Sequence, residues 1–96
     1  MIEFDTIAKG ILDHYGRNKQ ELQAVQELSE LILLLAARPD QRKEDYKNRV
    51  TEEIADCMIM IEQIRLANEI LISDVSLMIE KKIDRQLGRI QEEAEK

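Results

Sequence analysis

The stretch Glu53-Ile54-Ala55-Asp56-Cys57-Met58-Ile59-Met60-Ile61 decides how the chain is read. Its apolar run predicts a buried helix, where an unpaired carboxylate such as Asp56 is costly. Glu53 stands one turn before Asp56. Earlier in the chain Glu27 and Glu30 form a similar pair beside Leu31-Ile32-Leu33-Leu34-Leu35. Two helices therefore each carry two carboxylates, spaced i and i+3, toward a mostly apolar interior. A divalent cation is the least costly way to tolerate four converging negative charges.

Working outward, the spacing predicts four helices. The first runs from about Asp5 to Tyr15, with Phe4, Ile7, Ala8, Ile11, Leu12 and Tyr15 on one face. Gly16 is its natural stop. Asn18 then reads as the cap of a second helix, with Glu21 at the capping-box position. That helix continues to about Arg38, before Pro39. Its broad apolar arc comprises Ala24, Val25, Leu28, Leu31, Ile32, Leu35 and Ala36, with Glu27 on the border. A polar stretch leads into a third helix from Glu44 to Ile70. Ser73 reads as the cap of a fourth helix, with Asp74 in its first turn. That helix carries the stripe Val75, Ile79, Ile83, Leu87, Ile90 and Ala94, and its tail from Glu92 reads as frayed.

Composition narrows the classes. Hydrophobic residues are 44% and charged residues 35% of 96, with three Gly and one Pro, which suits one all-α domain over residues 1–96. The net charge of -6 argues against a duplex nucleic-acid partner, which needs a basic face. No apolar run approaches the roughly 20 residues that span a bilayer, so no membrane partner is expected. The acidic opening Ile2-Glu3-Phe4-Asp5 does not read as a secretory leader, and a cytoplasmic location is expected. Cys57 is the single cysteine and reads as a small buried hydrophobe, with nothing nearby to stabilise a thiolate.

The two carboxylate pairs are separated by residues 31–52 and fall on neighbouring antiparallel helices. At these residues the chain resembles the MazG-like family of all-α nucleoside triphosphate pyrophosphohydrolases, whose superfamily also holds the dimeric dUTPases and the phosphoribosyl-ATP pyrophosphatases. The family signature is E-E-x-x-E, a spacer, then E-x-x-D. This chain reads Gln26-Glu27-Leu28-Ser29-Glu30 and Glu53-Ile54-Ala55-Asp56, departing at Gln26. The segments His14-Tyr15-Gly16, Ile59-Met60-Ile61-Glu62-Gln63 and Lys82-Ile83-Asp84-Arg85-Gln86-Leu87 look like short single-domain members of the family.

The resemblance implies a four-helix MazG-like bundle that cleaves between the α and β phosphates of a (deoxy)nucleoside triphosphate. It implies Mg²⁺, with Mn²⁺ as a substitute, held by Glu27, Glu30, Glu53 and Asp56. It makes Lys82 and Arg85 the phosphate-gripping residues, with Arg89 a weaker candidate. The wide apolar faces predict a homo-oligomer, a dimer or a tetramer.

Blander readings stand beside these. E-x-x-E recurs by chance on solvated helix faces, and a buried Asp56 could instead pair with Arg65 or Lys82. Lys82, Arg85 and Arg89 could line up with Asp84, Glu92 and Glu93 on a solvated ridge. His14 reads as a cap or packing residue and lacks the Glu-x-x-His pairing of di-iron bundles. Met58, Met60 and Met78 read as core filler. A non-catalytic helical assembly or regulatory module is the alternative function.

Overall fold

The computed structural model describes residues 3–96; Met1 lies outside the described residues, as does Ile2, the first residue of the acidic opening. Four helices follow one another: α1 (Phe4–Tyr15), α2 (Arg17–Ala37), α3 (Glu44–Ala67) and α4 (Ile72–Ala94). No strand occurs among the described residues, and no helix there is long and apolar enough to cross a membrane.

Gly16 separates α1 from α2 with φ 88°, a backbone conformation that glycine adopts without a Cβ penalty. It ends α1 and starts α2 at once, so Arg17 is already helical and the expected Asn18 cap is not used. Glu21 pairs with Arg17 instead, at 2.7 Å. The Arg17 guanidinium also donates to the Ala67 carbonyl (3.1 Å) and to Asn68 Oδ1 (2.6 Å), which ties the start of α2 to the end of α3. Before Pro39, α2 ends on Arg38 in the left-handed region. The third helix stops at Ala67, short of the expected Ile70. Asn68 donates to the Ile64 carbonyl there (2.8 Å), and Glu69 takes φ 54°. The Ser73 side chain makes no cap at α4, and that helix runs through the expected frayed tail to Ala94.

The core is small and lies among α1, α2 and α3. Its buried apolar residues are Ala8 and Leu12 of α1, Ala24 and Leu34 of α2, and Cys57 and Met60 of α3. Three of these six are Ala or Cys, so the helices approach closely. Gln63 is the largest side chain that is fully buried, and its Oε1 accepts from Gln20 Nε2 at 2.8 Å. Such a pair contributes about 1 kcal/mol net, whereas an amide left alone would cost about 1–3 kcal/mol. The bond therefore fixes register between α2 and α3 more than it adds stability.

The expected all-α, four-helix architecture is present among the described residues, with α4 the loosely packed member. The fourth helix meets the rest only near its start, where Ile72 and Val75 join Phe4, Met58 and Ile61 around an apolar groove. From Ser76 onward every residue is exposed. The radius of gyration is 17.0 Å, against about 12–13 Å for a compact chain of this length. The chain exposes 7923 Å², against about 5,700 Å² for a compact monomer of this mass.

Burial follows the same pattern and corrects the sequence reading. Val25, Ile32 and Leu35 of the expected arc are exposed, because α2 turns Gln20, Ala24 and Leu34 inward and the far side of the arc has no neighbour. Met58 and Met78, expected as core filler, are exposed, and so is the α4 stripe Ile79, Ile83, Leu87 and Ile90. A periodic pattern marks a face that wants cover; it does not say that the same chain provides it.

Candidate metal centre

The two pairs of carboxylates come from facing turns of α2 and α3, whose mutual register is held by three contacts. One is the Gln20–Gln63 bond. A second is the Cys57 thiol, which donates to the Glu27 carbonyl at 3.6 Å. The third is the Arg17 clasp at the far end. With that register, one carboxylate oxygen each from Glu27, Glu30 and Glu53 fall within 4.8 Å of one another. Glu27 and Glu53 are half-buried and Glu30 is exposed.

Hydrogen bonding leaves this trio unsatisfied. Gln23 donates to Glu27 Oε1 at 2.7 Å and orients that carboxylate. Glu27 Oε2 and Glu53 Oε2, by contrast, are buried atoms with no hydrogen-bond partner. Native proteins seldom leave buried acceptors unpaired, and such atoms call for an explanation. Burial pushes the Glu27 carboxyl above its usual range, with the charges of Glu30 and Asp56 adding and the Gln23 bond opposing. Burial also raises Glu53, again helped by Glu30 and Asp56. Cys57 behind them is pushed up by burial first and by the surrounding carboxylates second, so it is a protonated thiol and not a nucleophile.

A hard divalent cation fits this donor set. Mg²⁺ binds oxygens at about 2.0–2.1 Å in an octahedron, which places neighbouring ligand oxygens about 3 Å apart and opposite ones about 4 Å apart. Three carboxylate oxygens within 4.8 Å of each other need little movement to meet it. The absence of any histidine or thiolate donor at the trio favours Mg²⁺ or Mn²⁺ over softer metals.

Asp56 departs from expectation. It is exposed, because α3 turns Cys57 and Met60 inward and leaves Asp56 at the edge. It stands outside the group of three, yet near enough for its charge to raise both Glu27 and Glu53. Nor is it a buried ion-pair partner. Arg65 is engaged by Glu62 and donates to the Ile70 carbonyl at 2.7 Å. Lys82 and Arg85 lie on the exposed part of α4, and neither lines the cleft beside the trio. His14 packs edge-on against Tyr15, with ring centroids 4.6 Å apart.

Sequence reading missed two charged residues here, Glu52 and the cation Arg49. Arg49 lines the same cleft as Glu30 and Glu53. Its signal was available: it precedes Glu53 by four residues and so shares its helix face.

No family model, curated protein or solved structure matches the chain. The likeness to MazG-like proteins therefore rests on the motifs quoted above.

The raised carboxyls make a sign-definite prediction. A carboxyl with a raised folded pKa binds its proton more tightly in the fold than in the unfolded chain. The metal-free fold thus gains stability as pH falls through that raised value and loses it as pH rises. Glu53→Gln removes the charge at nearly constant shape. In EDTA the variant should melt at or above the wild-type temperature at about pH 7, and the gap should narrow toward about pH 5. A variant less stable at both values, by the same margin, would show that Glu53 is satisfied as an anion.

Proposed function

We propose that the chain is a divalent-metal-dependent nucleoside triphosphate pyrophosphohydrolase that works as a homo-oligomer. It releases a monophosphate and pyrophosphate by cleavage between the α and β phosphates. The observation that carries this reading is that Glu27 and Glu53 each bury an unpartnered oxygen, Oε2, while carboxylate oxygens of the two residues and of Glu30 fall within 4.8 Å of one another. The MazG-like resemblance supplies the reaction class; the carboxylates supply the reason for a cation.

On this reading each residue takes one role. Glu27, oriented by Gln23, and Glu53 would hold a divalent ion between α2 and α3. Glu30 is the solvent-facing member of the trio and the one placed to take a proton from an attacking water. Asp56 stands close enough to be drawn in once positive charge is present. When bound, Mg²⁺ would neutralise triphosphate charge and acidify water. Lys82 and Arg85 grip phosphate by charge-assisted bonds. Since α4 stands away from its own α2, a second copy is what delivers them to the acidic trio.

Excess exposed area supports the oligomer. The surplus over a compact monomer is about 2,200 Å² per chain, in the range that one partner of an obligate homodimer buries. The same exposed faces favour the second reading, a helical assembly module without turnover.

Incubating the protein with a mixture of dNTPs and NTPs and Mg²⁺ separates the two. The expected result is pyrophosphate and a monophosphate from at least one nucleotide, with kcat/KM reduced roughly a hundredfold or more in Glu53→Gln. No pyrophosphate from any nucleotide, with Mg²⁺ or Mn²⁺, would leave the assembly module standing. Sedimentation should show a dimer or a tetramer at micromolar concentration; a single species of 11.2 kDa would overturn the oligomer.

A further inference from the structure

The cleft beside the acidic trio has a volume of about 370 Å³. That falls in the roughly 300–1,000 Å³ range of small-molecule sites. Its α3 wall is Arg49, Glu52 and Glu53, and its α2 wall includes Glu30, Leu34 and Ala37. Arg49 is the one cation lining it. The ion pairs among the described residues are Lys9–Asp13, Arg17–Glu21, Asp40–Arg42 and Glu62–Arg65, so Arg49 is in none of them. This holds although Glu52 and Glu53 follow it by three and four residues on the same helix, where pairing is easy.

An arginine left free at the edge of an acidic cleft has a specific chemical complement. Glu30 and Glu53 could hold a cation, and the Arg49 guanidinium lining the same cleft offers a planar fork to anionic oxygens. A chelate of a divalent cation with a polyphosphate presents both charges in that order. Ala37, the last residue of α2, also lines the cleft, and the negative end of that helix's dipole repels an anion there. A phosphate lying there needs a cation of its own, and Arg49 is the one at hand.

Resting on the pyrophosphohydrolase reading, we infer that Arg49 is a phosphate-binding residue supplied by the same chain as the carboxylates. The polyphosphate extends from the trio along the cleft toward Ala37, with Arg49 gripping the pyrophosphate half. Lys82 and Arg85 then act on the opposite side of the ligand, from the second copy. Leu33 and Leu34 leave that part of the cleft apolar, which suits closure over a neutralised chelate better than binding of a free anion.

The test uses the full chain with two probes, Mn²⁺ alone and inorganic triphosphate in the presence of Mn²⁺, each measured by calorimetry. Arg49→Ala should bind Mn²⁺ at least as tightly as wild type, because a nearby positive charge has gone. It should bind triphosphate about ten- to a hundredfold more weakly. Arg49→Lys should recover only part of that loss, since an ammonium cannot reproduce the fork. Arg42→Ala, a second exposed arginine outside the cleft, should leave both affinities unchanged. Arg49→Ala with wild-type triphosphate affinity would overturn the inference alone. Loss of Mn²⁺ and triphosphate binding together in both Arg49 variants would overturn it too, by making Arg49 a structural support. Wild type that takes up no Mn²⁺ would instead overturn the reading on which the inference rests.

Discussion

Three carboxylates meeting at one seam between two helices are the constraint on which the rest of the structure depends. Like charges in a half-buried place oppose the approach of α2 and α3, so the approach must be secured by something else. Ala24 and Cys57 secure it with small side chains, the Gln20–Gln63 bond sets the register, and Arg17 holds the far end. The Cys57 thiol adds a contact to the backbone of Glu27 itself. A change of register by one residue would turn Glu53 away from Glu27 and disperse the trio. The local polar bonds thus matter less for stability than for which acids face each other.

The second feature is incompleteness. A core of a few small residues leaves the outer face of α2, one side of α3 and nearly all of α4 with apolar surface in water. That surface is arranged in stripes at helical spacing, which is how a helix is built to pack against another helix. The stripes therefore mark faces that want cover, and in the proposed oligomer a second copy provides it. An arm such as α4, anchored only through Ile72 and Val75, can swing with little loss of contact. Association of copies would fix it, and would bring its basic ridge near the acidic seam of a neighbour. Assembly and site formation are then one event in the proposed function.

Much of this was legible in the sequence, for identifiable reasons. Gly16 and Pro39 mark helix ends through their backbone chemistry, and the four periodic segments were placed within a few residues. The facing of Glu27 and Glu30 toward Glu53 followed from paired i, i+3 spacing on antiparallel neighbours. Asp56 was misread because a run apolar on all sides does not reveal which side has a partner; Met58 and Ile61 turned out exposed with it. The α4 stripe likewise shows a face at helical spacing without saying what covers it. The Asn18 cap was displaced because Gly16 turns the chain without a capping side chain. Arg49 escaped notice because a lone arginine beside glutamates looks like an ordinary surface pair, and only the geometry shows that it makes none.

Binding of a divalent cation by the seam is the claim from which function, chelate and assembly follow. Titrating Mn²⁺ into metal-free protein, with free Mn²⁺ followed by its magnetic-resonance signal, tests it most directly. Wild type should take up at least one ion per chain at submillimolar concentration, and Glu27→Gln and Glu53→Gln should each weaken that uptake by about tenfold or more. No uptake by wild type, or equal uptake by both variants, would contradict the account.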